Sequence, residues 1–426
     1  MMDMTKCLGR KYGGTANKVI QDFREHGLQL DKTQYLGNWL GNVLNKLLDD
    51  SISKHLGIRM NTPFTLILVA LLGLSAVVAV YRLVFGIGAA SNLNDAWPWG
   101  LWISFDVLGG VAMAAGAFLI AAAVYLLNLK KYKCIARASI LNAFFGYLLA
   151  AISITLDVGR SFVIWHPLVM WQVNSVMFIV ALHLVLYLTT LGTESSPMVF
   201  EKLGWQGALR NVNRCMVGVV MFGVALSLLH QSSLGANYLI VPGKLSPIWY
   251  DHLLPYHFLV SAIMLGLALV SFETLLTAKV FNHEAPREVI EGLARGVLIV
   301  GSFYFVMKMW HLAAGPGFGA VLDGSFLGNL YLIEMGLGVV LPLGLLCLRS
   351  FRTDLNRIFA IDMMVVLGVL MNRMNVAVAG VAGYATEHGG DYFPSLMEFT
   401  LTIGMIAFAI LGFKVCAKYL NLFPNH

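Results

Sequence analysis

Ten stretches of about 20 apolar residues recur along this chain, and they constrain its fold more than any other feature. Each is long enough, at the helical rise of about 1.5 Å per residue, to cross a hydrocarbon layer roughly 30 Å thick. They run 62–86, 98–128, 134–157, 171–192, 212–233, 253–280, 292–314, 326–348, 357–378 and 394–419. Backbone polar groups inside lipid must be satisfied within the segment, so such runs are expected as α-helices. Only 12% of the 426 residues are charged, about half the share of an ordinary soluble domain, which excludes a single soluble globule and a disordered chain alike. The expectation is an all-α polytopic membrane protein.

The basic residues orient it. With the N-terminus inside, 24 of the 29 Lys and Arg lie on one side: nine in residues 1–61, four at 130–137, three each in 202–214, 279–295 and 349–357, plus Lys414 and Lys418. Arg82, Arg160, Lys244, Lys308 and Arg373 are the remainder, in the outer half or within the membrane. This bias predicts both termini in the cytoplasm and explains the net charge of +6 without nucleic acid. All five cysteines (Cys7, Cys134, Cys215, Cys347 and Cys416) map to the cytoplasmic side or inner span ends, where thiols stay reduced. No CxxC pair is present, so neither an iron–sulfur cluster nor a zinc site is expected in this chain.

Residues 1–61 read as a cytoplasmic extension, 62–420 as the membrane domain and 421–426 as a short cytoplasmic tail. The extension is polar and mixed, with no cleavable signal peptide ahead of the first span. Within it, Leu36, Trp39, Leu40, Val43, Leu44, Leu47, Leu48 and Ile52 repeat at helical spacing opposite Asn38, Asn42, Asn45, Lys46 and Asp49. This amphipathic helix either lies on the membrane or docks to a partner. Gly109, Gly110, Ala114, Gly116 and Ala117 in the second span predict close helix packing. No Walker loop, GxGxxG, HExxH or GxSxG motif occurs.

Ionisable groups within spans are expensive and therefore mark function by default. Asp106 lies about 12 Å below the outer end of its span and His183 about 18 Å below. Asp157 and Arg160 close the outer end of the third span; His230, Gln231 and Ser232 close that of the fifth. Asp106, Asp157, Arg160, His230 and Gln231 are expected to converge on an outer-facing pocket suited to a quinone headgroup, whose carbonyls need donors and whose reduction needs two protons. An equal reading makes Asp157 and Arg160 a structural ion pair. The second half carries Glu273, about 30 Å from the outer end, with Glu334, Arg373 and Glu398. Glu273 with His183, or Glu334 with Arg373, offers a proton route from inside; Glu334 and Arg373 alternatively lock helices as an ion pair. His230, His257 and His311 all sit near outer ends and no span carries two well-separated histidines, so an inner-plus-outer haem pair finds no support. The count leaves room for one outer haem; if the chain holds no redox group, electrons must enter and leave on one side through a partner.

Several stretches carry a resemblance. They are Arg82–Gly88 leading to Pro98-Trp99-Gly100-Leu101-Trp102-Ile103-Ser104-Phe105-Asp106, Ser153-Ile154-Thr155-Leu156-Asp157-Val158-Gly159-Arg160, Asn174-Ser175-Val176, Phe200-Glu201-Lys202-Leu203-Gly204-Trp205, His230-Gln231-Ser232-Ser233-Leu234-Gly235 and Tyr392-Phe393-Pro394-Ser395. Over residues 62–420 or so, the chain resembles the NrfD/PsrC family of quinone-interacting membrane subunits, most closely its HybB-like branch. The resemblance implies two four-helix bundles, spans 2–5 and 6–9, with spans 1 and 10 flanking. It also implies menaquinone as the lipid substrate, no haem, and a ferredoxin-like iron–sulfur subunit on the periplasmic face of the cytoplasmic (inner) membrane. The family's acids at the outer side of the first bundle map onto Asp106, Asp157 and His230. A hydrogenase, a multihaem cytochrome or a heterodisulfide-reductase-like module would each suit as the further partner. Against this stand a secondary transporter or proton channel, for which Pro342 is the best helix-interrupting signal, and a purely structural anchor.

Overall fold

The computed structural model describes residues 63–97, 99–240, 243–280, 284–315, 317–420 and 422. The amphipathic helix and nearly all of both expected cytoplasmic end segments lie outside them. Ten helices among the described residues are long and apolar enough to cross a membrane: α1 (Pro63–Phe85), α2 (Trp102–Leu126), α3 (Lys130–Asp157), α4 (Val176–Leu203), α5 (Gln206–Ala236), α6 (Leu254–Val280), α7 (Arg287–Ala314), α8 (Phe326–Cys347), α9 (Leu355–Glu387) and α10 (Leu396–Tyr419). No strand is present among the described residues, only an isolated bridge between Asn94 and Trp97. The expectation of an all-α, ten-span membrane protein is met.

The apolar runs locate each helix but cut some short. α4 continues for eleven residues past Gly192, through Pro197, to a left-handed cap at Gly204. α9 continues nine residues past Val378, to Glu387. Both extensions are less apolar than the span they prolong, which hides them from a hydropathy reading.

Helix contacts run α2–α3, α3–α4, α4–α5 and α5–α2, and again α6–α7, α7–α8, α8–α9 and α9–α6. α2 and α5 also touch α6, and α10 lies on α3. Lipid tails provide no hydrophobic drive between helices, so close approach depends on small side chains. A Cβ on Gly116 would stand 2.7 Å from the carbonyl oxygen of Gly266, where α2 crosses α6. One on Gly338 would stand 2.6 Å from Gly368 Cα, where α8 crosses α9. α2, with its run of small residues, is the most buried span and α1 the least.

Three helices carry π-helical turns: α2 at Trp102–Gly109 and Ala122–Leu126, α8 at Gly336–Val340, and α9 at Asn375–Ala379. The α8 turn immediately precedes Pro342, whose missing N–H and ring disrupt the regular ladder there. The helix wraps through this proline rather than unwinding. Such wide turns rotate the side chains on either side of them, and here they fall at or beside Asp106, Glu334 and Asn375.

Candidate functional site

The loops 91–101, 158–175, 237–253, 315–325 and 388–395 join span ends on one face, here called the loop face; the opposite, basic face carries Lys130, Lys131, Lys133, Arg210, Arg287 and Arg349. Buried polar residues gather in three clusters, and the residues expected to share one pocket are divided between the first two, with Arg160 exposed outside both.

The first lies where α1, α2, α3 and α10 meet. Asp106, buried within the π-turn of α2, accepts a hydrogen bond from Thr402 Oγ1 of α10 at 2.8 Å, with Ser153 of α3 alongside. Arg82 of α1 is 2% exposed and donates to the carbonyl oxygens of Leu156 at 2.5 Å and Val158 at 2.7 Å, the orphan acceptors at the C-terminus of α3. Its charge is also the one that acts most strongly on Asp157. Arg160 is exposed, and no ion pair joins it to Asp157 among the described residues. The pairing considered for Asp157 and Arg160 is therefore corrected: Arg160 lies exposed beyond the end of α3, while Arg82, a whole span away in sequence, binds the backbone around Asp157 and is the nearest acting charge on it. Glu398, fully buried, is structural. It accepts from Tyr392 Oη at 2.6 Å and Ser395 N at 2.8 Å, and closes a capping box with Ser395 at the start of α10. Burial raises the Tyr392 phenol above its ordinary range, so it stays a donor to Glu398 while accepting from Leu101 N at 2.8 Å.

The second cluster is inside α2–α5. His230 is wholly buried and both ring nitrogens lack a partner. Its ring lies 5.5 Å from that of Tyr147 on α3 and 6.1 Å from that of His183 on α4. Tyr147 packs edge-on to Tyr187 at 4.5 Å. The Tyr147 hydroxyl and Ser227 Oγ face one another without a well-formed hydrogen bond, and His183 Nδ1 is unpartnered. Gln231 donates to the Val111 carbonyl oxygen at 2.8 Å, leaving its own amide oxygen free. Ser232 bonds back to Leu228 O within its helix. Toward the basic face, buried Glu194 packs over Gly223, where a Cβ would stand 2.8 Å from Glu194 Oε1. His183, Tyr187, Thr190 and Glu194 fall at i, i+4, i+7 and i+11 on one face of α4. That spacing was the available signal for Glu194, which sat beyond the apparent end of the apolar run. Among the described residues no hydrogen bond, ion pair or ring contact joins His230 or Gln231 to Asp106 or Asp157.

The third cluster fills α6–α9. Glu334 accepts from Trp249 Nε1 at 3.1 Å, Asn372 Nδ2 at 2.7 Å and Asn375 Nδ2 at 2.8 Å. Arg373 donates to Asn372 Oδ1 at 3.1 Å, and to Phe258 O and Ser261 Oγ at 2.9 Å each, and lies over the Phe258 ring. Glu334 and Arg373 thus meet through Asn372 rather than as the direct ion pair considered from depth alone. Lys308, buried in α7, lies 5.8 and 5.9 Å from the rings of Tyr304 and Tyr331. Nearer the loop face, Asp251 Oδ2 lies 3.3 Å from His311 Nδ1 and 3.7 Å from His257 Nε2. Toward the basic face, Glu273 accepts from Asn142 Nδ2 of α3 at 2.6 Å, tying the two helix groups together. Asp362 of α9 is buried facing Ser271, without a well-formed hydrogen bond to either carboxylate oxygen. No group of three His, Cys, Asp or Glu arranged for a metal ion occurs among the described residues.

This is a multi-pass membrane protein whose interior carries protonatable side chains from nearly every span. Residues 89–385 match the family model for polysulphide reductase NrfD, and the chain belongs to that family. A relative in Escherichia coli, named as a probable Ni/Fe-hydrogenase 2 b-type cytochrome subunit, is 31% identical over 353 residues, 81% of this chain and 88% of the relative. The integral membrane subunit of a menaquinone reductase in Nitratidesulfovibrio vulgaris is 24% identical over 378 residues, 82% and 88% of the two chains. A selenate reductase subunit in Mesobacillus selenatarsenatis is 22% identical over 384 residues, 78% and 88% respectively.

Proposed function

We propose that this chain is the quinone-handling integral membrane subunit of a respiratory redox complex. It exchanges electrons and protons between menaquinone and an iron–sulfur partner docked on the loop face, which is the outer face of the cytoplasmic membrane. The observation that carries this reading is His230: a wholly buried imidazole with two unpartnered nitrogens, beside the Tyr147 ring and the unpartnered Gln231 amide oxygen. Buried polar atoms without partners are rare in native structures and call for a ligand or water. A quinone headgroup presents carbonyl acceptors when oxidised and hydroxyl donors when reduced, and an imidazole answers both. Relatives named as subunits of a hydrogenase, a menaquinone reductase and a selenate reductase support a place in a multi-subunit redox complex.

In this reading His230 and Tyr147 exchange protons with the headgroup, and His183 links them toward Glu194 and Glu273 on the basic side. Asp106 and Asp157, with Arg82, shape the outer wall against α1 and α10. Arg160, exposed past the end of α3, is left facing the partner subunit. Glu334 and Arg373 hold the second helix group together.

No haem is assigned to this chain, although one relative is named a b-type cytochrome subunit. His183 and His230 have ring centroids 6.1 Å apart, with Tyr147 packed on His230, and in this reading the pair serves proton exchange.

The test uses the complex purified with its partner subunits. His230→Gln is expected to lower menaquinone-coupled turnover by about 10²-fold, the low end of the contribution of a positioned acid or base. Turnover of the partner with a soluble dye should persist. Unchanged quinone turnover removes His230 from the mechanism, and a haem absorbance in the purified complex that maps to this chain removes the non-haem reading.

A further inference from the structure

A cleft of about 470 Å³ opens on the loop face of α6–α9, lined by Leu245, Pro247, Tyr250, Asp251, Trp310 and His311 among others. Its size falls within the range of roughly 300–1,000 Å³ typical of small-molecule sites. We propose that it is a second binding site for a quinone-class molecule, separate from the first-bundle site around His230.

Three features of the cleft favour a planar, lipid-soluble ring bearing carbonyl or hydroxyl groups. Its walls are aromatic and aliphatic, with Tyr250 and Trp310 offering ring faces and Leu245, Pro247 and Leu253 offering apolar contact. Its polar end is small and incomplete. His311 is 7% exposed, its Nδ1 faces the Asp251 carboxylate, its ring lies against the backbone of Pro247 and Ile248, and its buried Nε2 makes no well-formed hydrogen bond. Asp251 Oδ2 also makes no hydrogen bond, and the charge of buried Lys308 acts on the pair from behind. The His311–Asp251 pair thus lies just beneath the end of an apolar slot, where a small rotation of the imidazole turns a ring nitrogen toward an occupant's carbonyl or hydroxyl.

The third feature is access. Ile299, Phe303, Val306 and Trp310 fall at i, i+4, i+7 and i+11 on α7, and all four are exposed, with Trp310 at 69%. This stripe faces lipid and ends at the cleft, so a hydrophobic ligand reaches it along the bilayer rather than from water. The ligand class is inferred from the cleft itself, and the inference stands or falls apart from the first-bundle site.

The experiment is photolabelling of the full protein, in its complex and reconstituted in liposomes, with an azido-naphthoquinone, followed by peptide mapping. Label is expected in the peptides containing Tyr250 and Trp310, displaced by excess menaquinone. His311→Leu removes the polar end, and Ala314→Trp fills the mouth from the outside. His311→Leu should cut cleft labelling about tenfold, the loss of one hydrogen bond to a charged or polar partner, and Ala314→Trp should cut it at least as far by occupying the mouth. His230→Gln should leave cleft labelling unchanged, so failure of the first-bundle reading is scored separately by turnover. Label found only in first-bundle peptides, label that menaquinone does not displace, or label that survives both cleft variants overturns the proposal.

Discussion

Glu334 offers the sharpest test of how the second helix group is held together. Its carboxylate is 2% exposed and accepts from three side chains on two other segments: Trp249 in the loop before α6, and Asn372 and Asn375 on α9. Glu334→Leu keeps the volume roughly constant and strands all three donors. In a soluble core each stranded donor costs about 1–3 kcal/mol, and three of them would approach about 9 kcal/mol at the upper limit. Within membranes, side-chain hydrogen bonds between helices average about 0.6 kcal/mol and reach about 1.7, because the unfolded chain also finds partners. The membrane values apply to the two asparagines, and the indole beside the loop face falls between the two scales. The expected loss is therefore about 2–5 kcal/mol. Glu334→Gln retains one carbonyl acceptor but turns an amide N–H₂ toward a donor, and should cost about 1–3 kcal/mol. The assay is unfolding of the micelle-solubilised protein by a denaturing detergent, followed by the near-ultraviolet signal of the buried tryptophans. A Glu334→Leu protein within about 0.5 kcal/mol of the parent would show that the network contributes nothing.

Further expectations concern the other clusters. Arg82→Gln should lose both bonds to the end of α3 and free the loop after Asp157, seen as faster proteolysis between residues 158 and 175. Gly116→Val should force α2 away from the Gly266 carbonyl oxygen and cost about 1–3 kcal/mol in the same unfolding assay; an unchanged midpoint would mean that the helices do not approach at this point. Glu194→Gln, if protons reach His230 through α4, should slow quinone-coupled turnover while leaving dye turnover intact, and an equal effect on both would assign Glu194 a structural role. Asp323, at the loop face, is held below its ordinary carboxylate range by the Ser325 backbone N–H. A group lowered by folding contributes above its unfolded value and ceases to as pH falls through its folded one. The turn at 323–325 should consequently loosen only in strong acid, measurable as accelerated amide exchange at Ser325.

What could be read from the residues alone follows from lipid as a solvent. Hydrocarbon admits no unpaired backbone, so ten apolar runs meant ten helices, and α1, α6 and α8 begin and end within a residue or so of their hydropathy limits. The same physics singled out Asp106, His230, Glu334 and Arg373, since a polar group in lipid must have a reason to be there. Hydropathy, however, is blind to which way a side chain turns about its helix. Asp106 and His230 both lie in the outer part of their spans, yet Asp106 faces Thr402 on α10 and His230 faces Tyr147 and His183, and only the packing of α2 between α3, α5, α6 and α10 separates them. Partners from distant segments, such as Arg82 on the end of α3 or Asn372 between Glu334 and Arg373, depend on azimuth and crossing geometry. π-turns in α2, α8 and α9 change that azimuth midway along the helix. Composition and spacing thus determined that protonatable groups would be buried and at what depth, while the tertiary structure decided which of them meet.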